Sequence, residues 1–362
     1  MYCTSVLDAT IYGDLTTLKA LVTSGQSVNA RDVNGKTPLA VACYQGWYEG
    51  VVYLLANGCD QMIADNRQRI PLHAATYNDK IRCLALLVQH LQPKSLNTCD
   101  SERMTALHWA AYHDRPEHVQ LLISKNINLL AADCDGKTAL HWASQKGNDQ
   151  CVEILMREAR GTNLVNMRDK SGKGALHYAA AAGHSRVLSC LTNSKICDIH
   201  LQDHDDRQPL HWAAALGRPE CVNLLLELGA DPNMHDINTR NALYYAKKSS
   251  HEECISILNG EMKHLYLEKK EKLKLEERSK HRISSPIRHR QVAPATTDNI
   301  TSESNSNSKQ SFKVSSQSPQ DSAASPENTD EMNSSGQKLP PIRGSITGIS
   351  KPFGTKTSKN VI

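Results

Sequence analysis

The sequence has little phenylalanine and no long apolar segment. Only two of its 362 residues are Phe, and aromatic residues make up 5%. This composition predicts a core of small aliphatic contacts between thin layers rather than one large nucleus. No apolar run reaches the roughly 18 residues that span a bilayer, and Asp8 and Asp14 interrupt the start of the chain, where a signal peptide would be apolar. We therefore expect a soluble, intracellular protein without a membrane span.

The sequence also lacks the short motifs of common catalytic and metal sites. It contains no C-x-x-C pair, P-loop, G-x-G-x-x-G, G-x-S-x-G or H-E-x-x-H. Four of its eleven cysteines recur at one repeat position on a predicted second helix, and they are Cys83, Cys151, Cys221 and Cys254. A cysteine that faces a neighbouring helix acts most simply as a small hydrophobe. We expect reduced structural thiols, no metal, no cofactor and no enzymatic activity.

A short phrase similar to T-P-L-H-x-A occurs seven times, each time five residues after an aspartate. The spacing between copies stays between 33 and 36 residues. The phrases start at Thr37, Ile70, Thr105, Thr138, Gly174, Gln208 and Asn241. An earlier copy opens near Thr4, because Ala9 stands 33 residues before Ala42. A period of this length indicates a repeat array, here of eight units over residues 1–260, in which each unit buries its apolar face against its neighbours.

Each unit reads as two helices and a projecting turn. Thr or a small substitute can cap the first helix, Pro is tolerated in a first turn, and alanines let helices approach closely. A second apolar helix follows and ends at a glycine such as Gly58 or Gly229. The polar stretch before the next phrase has turn chemistry and predicts a loop or finger.

These phrases, such as Leu107-His108-Trp109-Ala110, resemble those of the ankyrin repeat family. The resemblance implies an all-α solenoid with projecting β-hairpin-like fingers and a non-enzymatic scaffold or adaptor that binds a partner protein. Within the family, the order of the phrases is similar to members associated with cilia and microtubule-based transport. It implies ciliary transport or cytoskeletal components as partners, and the cytoplasm or a cilium as the location.

Two residue rows allow a second interpretation. The histidines could suggest a metal site or a general base, but a residue repeated in every layer favours a hydrogen bond to the adjacent finger. They are His73, His108, His141, His177 and His211.

The aromatic residues that follow the histidine position could stack nucleic-acid bases, but core packing is favoured. They are Trp109, Trp142, Trp212, Tyr178 and Tyr245. Nucleic-acid binding is not expected.

The partner-binding prediction rests on the concave face of the solenoid, which first helices and fingers form. Three tyrosines follow the phrases of layers two to four and supply large contact areas with polar tips. The predicted binding residues are Tyr44, Gln45, Tyr77, Asn78, Tyr112, His113, Gln145 and Lys146. The alternative is that the tyrosines only cover exposed helix.

The predicted finger tips carry a basic row that could attract acidic partners. Its members are Lys36, Arg69, Lys137, Lys173, Arg207 and Arg240. The repeated aspartates offset this charge. The expected turn glycine is present in only three fingers, and in the others it is replaced by Gln68, Arg103, Asp206 and Thr239. Those four fingers should deviate from the standard turn or carry strain.

The chain changes character after residue 260. Residues 261–282 are mostly charged and predict a helical extension, whereas residues 283–362 are rich in Ser, Pro and Lys and predict a disordered tail. Residues 261–362 hold 17 basic and 11 acidic residues, against 25 and 27 in the array. Ser285, Ser318 and Ser325 precede Pro and are phosphorylation candidates. The alternative function is therefore a nuclear or signalling regulator that uses this basic tail. A monomer is expected.

Overall fold

The computed structural model describes residues 4–159, 161–194 and 196–283. Within them sixteen α-helices form eight successive pairs and no strand occurs, so the fold is an all-helical repeat solenoid. The first helices are α1 Val6–Ile11, α3 Pro38–Gln45, α5 Pro71–Ala75, α7 Ala106–Tyr112, α9 Ala139–Lys146, α11 Ala175–Ala182, α13 Pro209–Ala215 and α15 Ala242–Lys248. The second helices are α2 Leu15–Thr23, α4 Tyr48–Ala56, α6 Ile81–His90, α8 Pro116–Ser124, α10 Asp149–Glu158, α12 Ser185–Thr192, α14 Pro219–Glu227 and α16 Glu252–Ile283. We call each pair, with the finger that precedes it, a layer.

Two short 3-10 helices interrupt the pattern, and the last helix is unusually long. The 3-10 helices are Pro93–Asn97 and Leu164–Asn166. They lie in the two steps of the sequence that exceed the common spacing by two or three residues, so the extra residues are absorbed between a second helix and the next finger. Helix α16 continues without a break through residue 260, so the eighth pair and the predicted charged extension share one helix.

Small and branched aliphatic residues of each phrase form one continuous core. In layers 1 to 7 each first helix packs against the next first helix and against its own second helix. Leu72, Leu107 and Leu140 are at most 1% exposed, and Ala75 and Ala110 are fully buried. Burial of a leucine side chain contributes about 2 kcal/mol, so the repeated Leu and Ala positions account for the stacking. The predicted thin-layer core is confirmed.

The cysteine prediction is also confirmed. Cys83, Cys151, Cys221 and Cys254 are at most 1% exposed, and ten cysteines of the described residues are free thiols. Burial raises the pKa of Cys151 to about 12 and that of Cys221 to about 11. The reactive thiolate is therefore strongly disfavoured at neutral pH, and these side chains serve packing.

The fingers are short turns that connect to one another. In layer 2 the Asp32 N–H donates to the Lys36 carbonyl (3.0 Å) and closes the finger. One further backbone bond then joins each finger to the next, as from the Asn66 N–H to the Asn34 carbonyl at 3.0 Å. The donors of the other links are Ser101, Cys134, Lys170, His204 and Ile237. The fingers therefore form a hydrogen-bonded row without becoming a sheet.

Four fingers adopt the left-handed turn without the expected glycine. Gln68, Arg103, Asp206 and Thr239 have φ values between 57° and 61°. Gly35 and its counterparts occupy the same place with φ near 80°. A side chain in this region carries steric strain of about 1–2 kcal/mol. The predicted strain at these four positions is thus present as positive φ.

The predicted tail and its phosphorylation candidates lie beyond the last described residue. The tail of residues 284–362, including Ser285, Ser318 and Ser325, lies outside the described residues. Among the residues that are described, no helix combines the length and the apolar character needed to cross a membrane.

Replacement of Thr239 by glycine should stabilise the array. Thr239 has φ of 58° and is β-branched, so its turn conformation is more strained than that of the other three residues. We expect Thr239→Gly to raise the free energy of unfolding by about 1 kcal/mol, measured by urea denaturation. Thr239→Ala is the matched control because it keeps the β-carbon. Equal stability of the two variants would contradict the strain.

Candidate partner-binding site

The aspartate before each phrase organises its finger. One carboxylate oxygen accepts two backbone N–H groups, as Asp133 does from Asp135 (2.9 Å) and Lys137 (2.8 Å). Asp133 is only 3% exposed, so these bonds compensate a buried charge. The same pattern recurs at Asp32, Asp65, Asp100, Asp169, Asp203 and Asp236.

The second carboxylate oxygen binds the aromatic residue nine positions later. The Trp142 indole N–H donates to Asp133 at 2.9 Å, and Trp109 binds Asp100 at the same distance. The equivalent donors in layers 6 to 8 are Tyr178, Trp212 and Tyr245. These rings are buried or half-buried between helix and finger, as expected of packing residues. The sequence did not predict that the finger aspartate accepts a hydrogen bond from these rings. This bond joins each first helix to its own finger.

The basic row lies at the finger bases and not at the tips. All six side chains are half-buried, and several cover the aromatic rings instead of projecting into solvent. The Lys137 Nζ atom is 4.5 Å from the Trp142 ring centroid, and Lys173 Nζ is 4.0 Å from that of Trp212. The remaining members are Lys36, Arg69, Arg207 and Arg240. The exposed tips are formed by other residues, including Val33, Asn66, Arg67 and Glu102.

The repeated histidines bridge neighbouring layers. In His108 the Nδ1 atom accepts the Thr105 N–H (3.1 Å), while Nε2 lies 3.1 Å from the Lys137 carbonyl. A carbonyl can only accept, so Nε2 carries the proton and the ring is the neutral Nε2–H tautomer. The same two contacts are made by His73, His141, His177 and His211. The predicted bond to the adjacent layer is confirmed.

Burial keeps these imidazoles neutral. It lowers the pKa of His141 and His177 to about 4, and it lowers the pKa of His73, His108 and His211 as well. Neighbouring aspartates and backbone carbonyls only partly oppose this effect. Both ring nitrogens are engaged, so these histidines are not available as bases or metal ligands.

A second series of contacts satisfies the C-terminal carbonyls of the first helices. The Gln45 amide donates to the Ile11 carbonyl at 2.8 Å, and Asn78 donates to that of Gln45 at 3.1 Å. Later layers use the residue that immediately precedes the second helix. These donors are Arg115, Asn148, His184, Arg218 and His251. Gln45 and Asn78, predicted to bind a partner, therefore hold adjacent layers together.

The predicted tyrosines form a connected ridge. The Tyr44 and Tyr77 rings stack with centroids 4.3 Å apart, and Tyr77 meets the edge of His113 at 4.9 Å. His113 contacts Tyr112 at 5.1 Å, and the Lys146 Nζ atom lies 4.3 Å from the Tyr112 centroid. We call these five residues the tyrosine ridge. Lys146 is exposed and the other four are half-buried.

Two side chains of the tyrosine ridge, His113 and Tyr44, have pKa values that keep them uncharged. Burial lowers the pKa of His113 to about 4, assisted by the nearby charges of Arg115 and Lys146. Burial and the Tyr77 hydroxyl raise the pKa of Tyr44. Both side chains are therefore neutral at physiological pH. Gln145, also predicted to bind, is half-buried beside the ridge, and its side-chain oxygen has no hydrogen-bond partner among the described residues.

The described residues contain no cluster of three or more His, Cys, Asp or Glu side chains that could hold a metal ion. The geometry instead presents packed aromatic rings, lysines and the ends of first helices. This surface, made by the exposed ends of the first helices and by the fingers, is called the first-helix face below.

Comparison with known proteins agrees with this geometry. A family model described as ankyrin repeats in three copies matches residues 6–97, 84–166 and 160–236. The chain belongs to the ankyrin repeat family. Repeat units of this family are protein-interaction modules, and the eight layers follow its helix, helix and finger plan.

Several of the proteins similar to this chain are inversins from different animals. The dog protein is 35% identical over 188 residues, which is 51% of this chain and 17% of inversin, and human inversin is 34% identical over the same share of this chain and 18% of its own length. The ankyrin repeat protein nuc-2 of Neurospora crassa is 29% identical over 259 residues, covering 69% of this chain and 23% of nuc-2. The chain thus spans about a fifth of the length of these relatives.

Loss of the indole N–H at one finger should destabilise the array. Trp142→Phe leaves the second oxygen of buried Asp133 without its donor, and we expect a loss of about 2 kcal/mol in the free energy of unfolding by urea denaturation. Trp47→Phe, on the second-helix side, makes the same change away from a finger and should cost less than about 1 kcal/mol. Equal losses would show that the Asp–Trp bond contributes nothing specific.

Acidification should weaken the array in a defined window. The folded pKa of the bridging histidines is below the value of about 6.5 in the unfolded chain, so the unfolded state binds more protons. The contribution of these histidines to the free energy of unfolding is fully present above about pH 6.5. It falls as the pH decreases toward 4, by about 1.4 kcal/mol per pH unit for each fully buried histidine. Urea denaturation at several pH values measures the slope.

A glutamine substitution provides the control for this pH dependence. His141→Gln keeps one hydrogen-bond donor and one acceptor but cannot be protonated. We expect its slope below pH 6.5 to be smaller by the contribution of one proton. An unchanged slope would contradict the assignment of this destabilisation to the bridging histidines.

Proposed function

We propose that the protein is a non-enzymatic scaffold or adaptor that binds a partner protein through the tyrosine ridge. The ridge carries this proposal because it presents three packed tyrosines and a lysine across four adjacent layers. Tyrosine offers apolar area and a polar hydroxyl at a small cost in side-chain entropy, which suits a binding surface. In a solenoid this face is the concave surface on which partners usually bind.

The chemistry of the layers supports a binding role over catalysis. Each bridging histidine is neutral and uses both ring nitrogens, and the buried cysteines have raised thiol pKa values. A nucleophile would need a free base and an orienting group beside it. The repeated polar groups are instead consumed by contacts between layers and within fingers.

We further propose a cytoplasmic or ciliary setting. The order of the phrases resembles ankyrin repeat domain-containing protein 55 and, less closely, the ankyrin half of inversin, a resemblance that implies cilia and microtubule-based transport. The matches to inversin support this setting. The partner would then be a protein component of ciliary transport or of the cytoskeleton, bound by a monomeric chain.

Removal of the tyrosine rings should abolish capture of the partner. We expect the variant Tyr44→Ala, Tyr77→Ala, Tyr112→Ala of the full chain to lose, by at least about tenfold, proteins that the unmodified chain retains from ciliated cells. Affinity capture with quantitative mass spectrometry measures this loss. Circular dichroism and thermal unfolding establish that the variant is folded.

Two further variants separate binding from packing. The triple Tyr→Phe variant keeps the ring contacts and should retain most binding, because the stacked area is preserved. Tyr53→Ala removes a tyrosine from second helix α4 and should leave capture unchanged. Full capture by a folded triple alanine variant would overturn the proposal.

A further inference from the structure

The basic row at the finger bases contains two kinds of cation. Arg69 and Arg207 are neutralised by their own fingers, since Arg69 forms an ion pair with Asp65 at 2.7 Å and Arg207 with Asp203 at 2.9 Å. Lys137 and Lys173, in layers 5 and 6, take part in no ion pair within the part of the chain that the structure describes. Two adjacent fingers therefore present ammonium groups that form no direct ion pair.

The aspartates beside these lysines are already occupied. Asp133 accepts two backbone N–H groups and the Trp142 indole, and Asp169 accepts two N–H groups and the Tyr178 hydroxyl. Their oxygens are used by the fingers, although the charges of Asp169 and Asp203 still attract the Lys173 ammonium group. The exposed carboxylate of Asp135 stands at the finger tip and forms no ion pair with Lys137.

Aromatic rings fix the two ammonium groups in place. Lys137 Nζ lies 5.1 Å from the Tyr178 centroid and Lys173 Nζ lies 6.0 Å from the same centroid. Each lysine also covers a tryptophan, Trp142 or Trp212. A lysine over a ring keeps its N–H donors for a third group. The pair is therefore pre-organised around one phenol ring.

The side chains next to this pair of lysines are short. The position that holds tyrosine in layers 2 to 4 is Ala181 in layer 6 and Ala215 in layer 7, and Ala182 follows Ala181. Short side chains leave room for a polypeptide backbone next to the lysines. The Trp142 and Trp212 faces are covered by the lysines and their N–H groups are bound, so these rings do not offer the open stacking surface that nucleic-acid bases need.

Successive layers of packed helices are about 8–10 Å apart. A polyproline II segment has three residues per turn and rises about 3.1 Å per residue, so residues i and i+3 face the same side about 9 Å apart. Such a segment can present two carboxylates to two neighbouring layers. In a β-strand the residues that share a face are i and i+2, about 6.6 Å apart, which is shorter than the spacing between layers.

We propose that Lys137 and Lys173 bind an acidic segment of a partner protein in the polyproline II conformation, with carboxylates at positions i and i+3. The segment runs from layer 5, next to the tyrosine ridge, over the alanines of layers 6 and 7. This site deepens the proposed function and rests on it, because the acidic segment belongs to the partner that the ridge binds. Desolvation lowers the pKa of Lys173, and a carboxylate at this place would offset that cost.

The test measures binding of synthetic peptides to the full chain by fluorescence anisotropy. The probe contains Glu-Pro-Pro-Glu between glycine and serine flanks. The comparison peptides are Gln-Pro-Pro-Gln, without charge, and a peptide of equal charge whose glutamates are two residues apart. We expect the probe to bind at least about tenfold more tightly than either, and to weaken as salt rises from about 0.05 to about 0.5 M.

Substitution of the lysines locates the site. K137M/K173M should weaken binding of the probe by about tenfold or more. K94M/K125M, which removes two exposed lysines elsewhere, alters the net charge equally and should bind like the unmodified chain. Circular dichroism checks folding. If K137M/K173M does not fold, the peptide comparison on the unmodified chain decides alone.

Each outcome bears on one proposal. Equal binding of all three peptides, or equal effects of both lysine pairs, overturns the acidic site. An oligothymidylate of about 12 nucleotides that displaces the probe and binds more tightly also overturns it. If the tyrosine variant loses its captured partner but the probe does not bind, the proposed function stands and this site does not. If the probe binds selectively but no partner depends on the tyrosines, the ridge proposal fails instead.

Discussion

The stacking of layers 3 to 8 depends on a neutral imidazole between consecutive layers. Each bridging histidine accepts from the start of its own first helix and donates to a carbonyl of the next layer. The residue is useful only where a next layer supplies that carbonyl. The eighth layer, the last that the structure describes, has Tyr244 at this position, and its side chain is 41% exposed. The histidine row therefore has a structural cause, and it makes layer contact sensitive to protonation.

The fingers depend on a related constraint, the complete use of one buried carboxylate. Backbone N–H groups take one oxygen, and an indole or phenol takes the other in layers 4 to 8. In layer 3 the aromatic position is Ala74, and the Arg69 guanidinium occupies the second oxygen of Asp65 instead. The equivalent carboxylates of different layers thus have two kinds of partner along the array. Where an aromatic ring takes that role, a lysine can remain unpaired above it.

Much of the fold could be predicted from the sequence, because the period of 33 to 36 residues and the Leu and Ala positions express local packing directly. The strain at Gln68 and Thr239 could also be predicted, since it follows from the absence of a turn glycine. The Asp133–Trp142 bond could not, because it depends on how the finger folds back on the first helix. The placement of Lys137 at the finger base has the same origin. The bond from Gln45 to the Ile11 carbonyl could not be predicted either, because a sequence does not show which helix carbonyls a neighbouring layer must satisfy.

Contacts that hold the layers together also order the side chains of the first-helix face. Tyr77 is already stacked on Tyr44, and Lys173 already lies over Trp212, so a partner would not have to order these side chains. Immobilising a long side chain costs about 0.5–1.5 kcal/mol, and that cost has been met during folding. The layers share one plan but differ at the positions after each phrase, with rings in layers 2 to 4 and alanines in layers 6 and 7. In the proposed function, specificity would come from the side chains that take no part in the bonds common to the layers, and not from any change in the backbone.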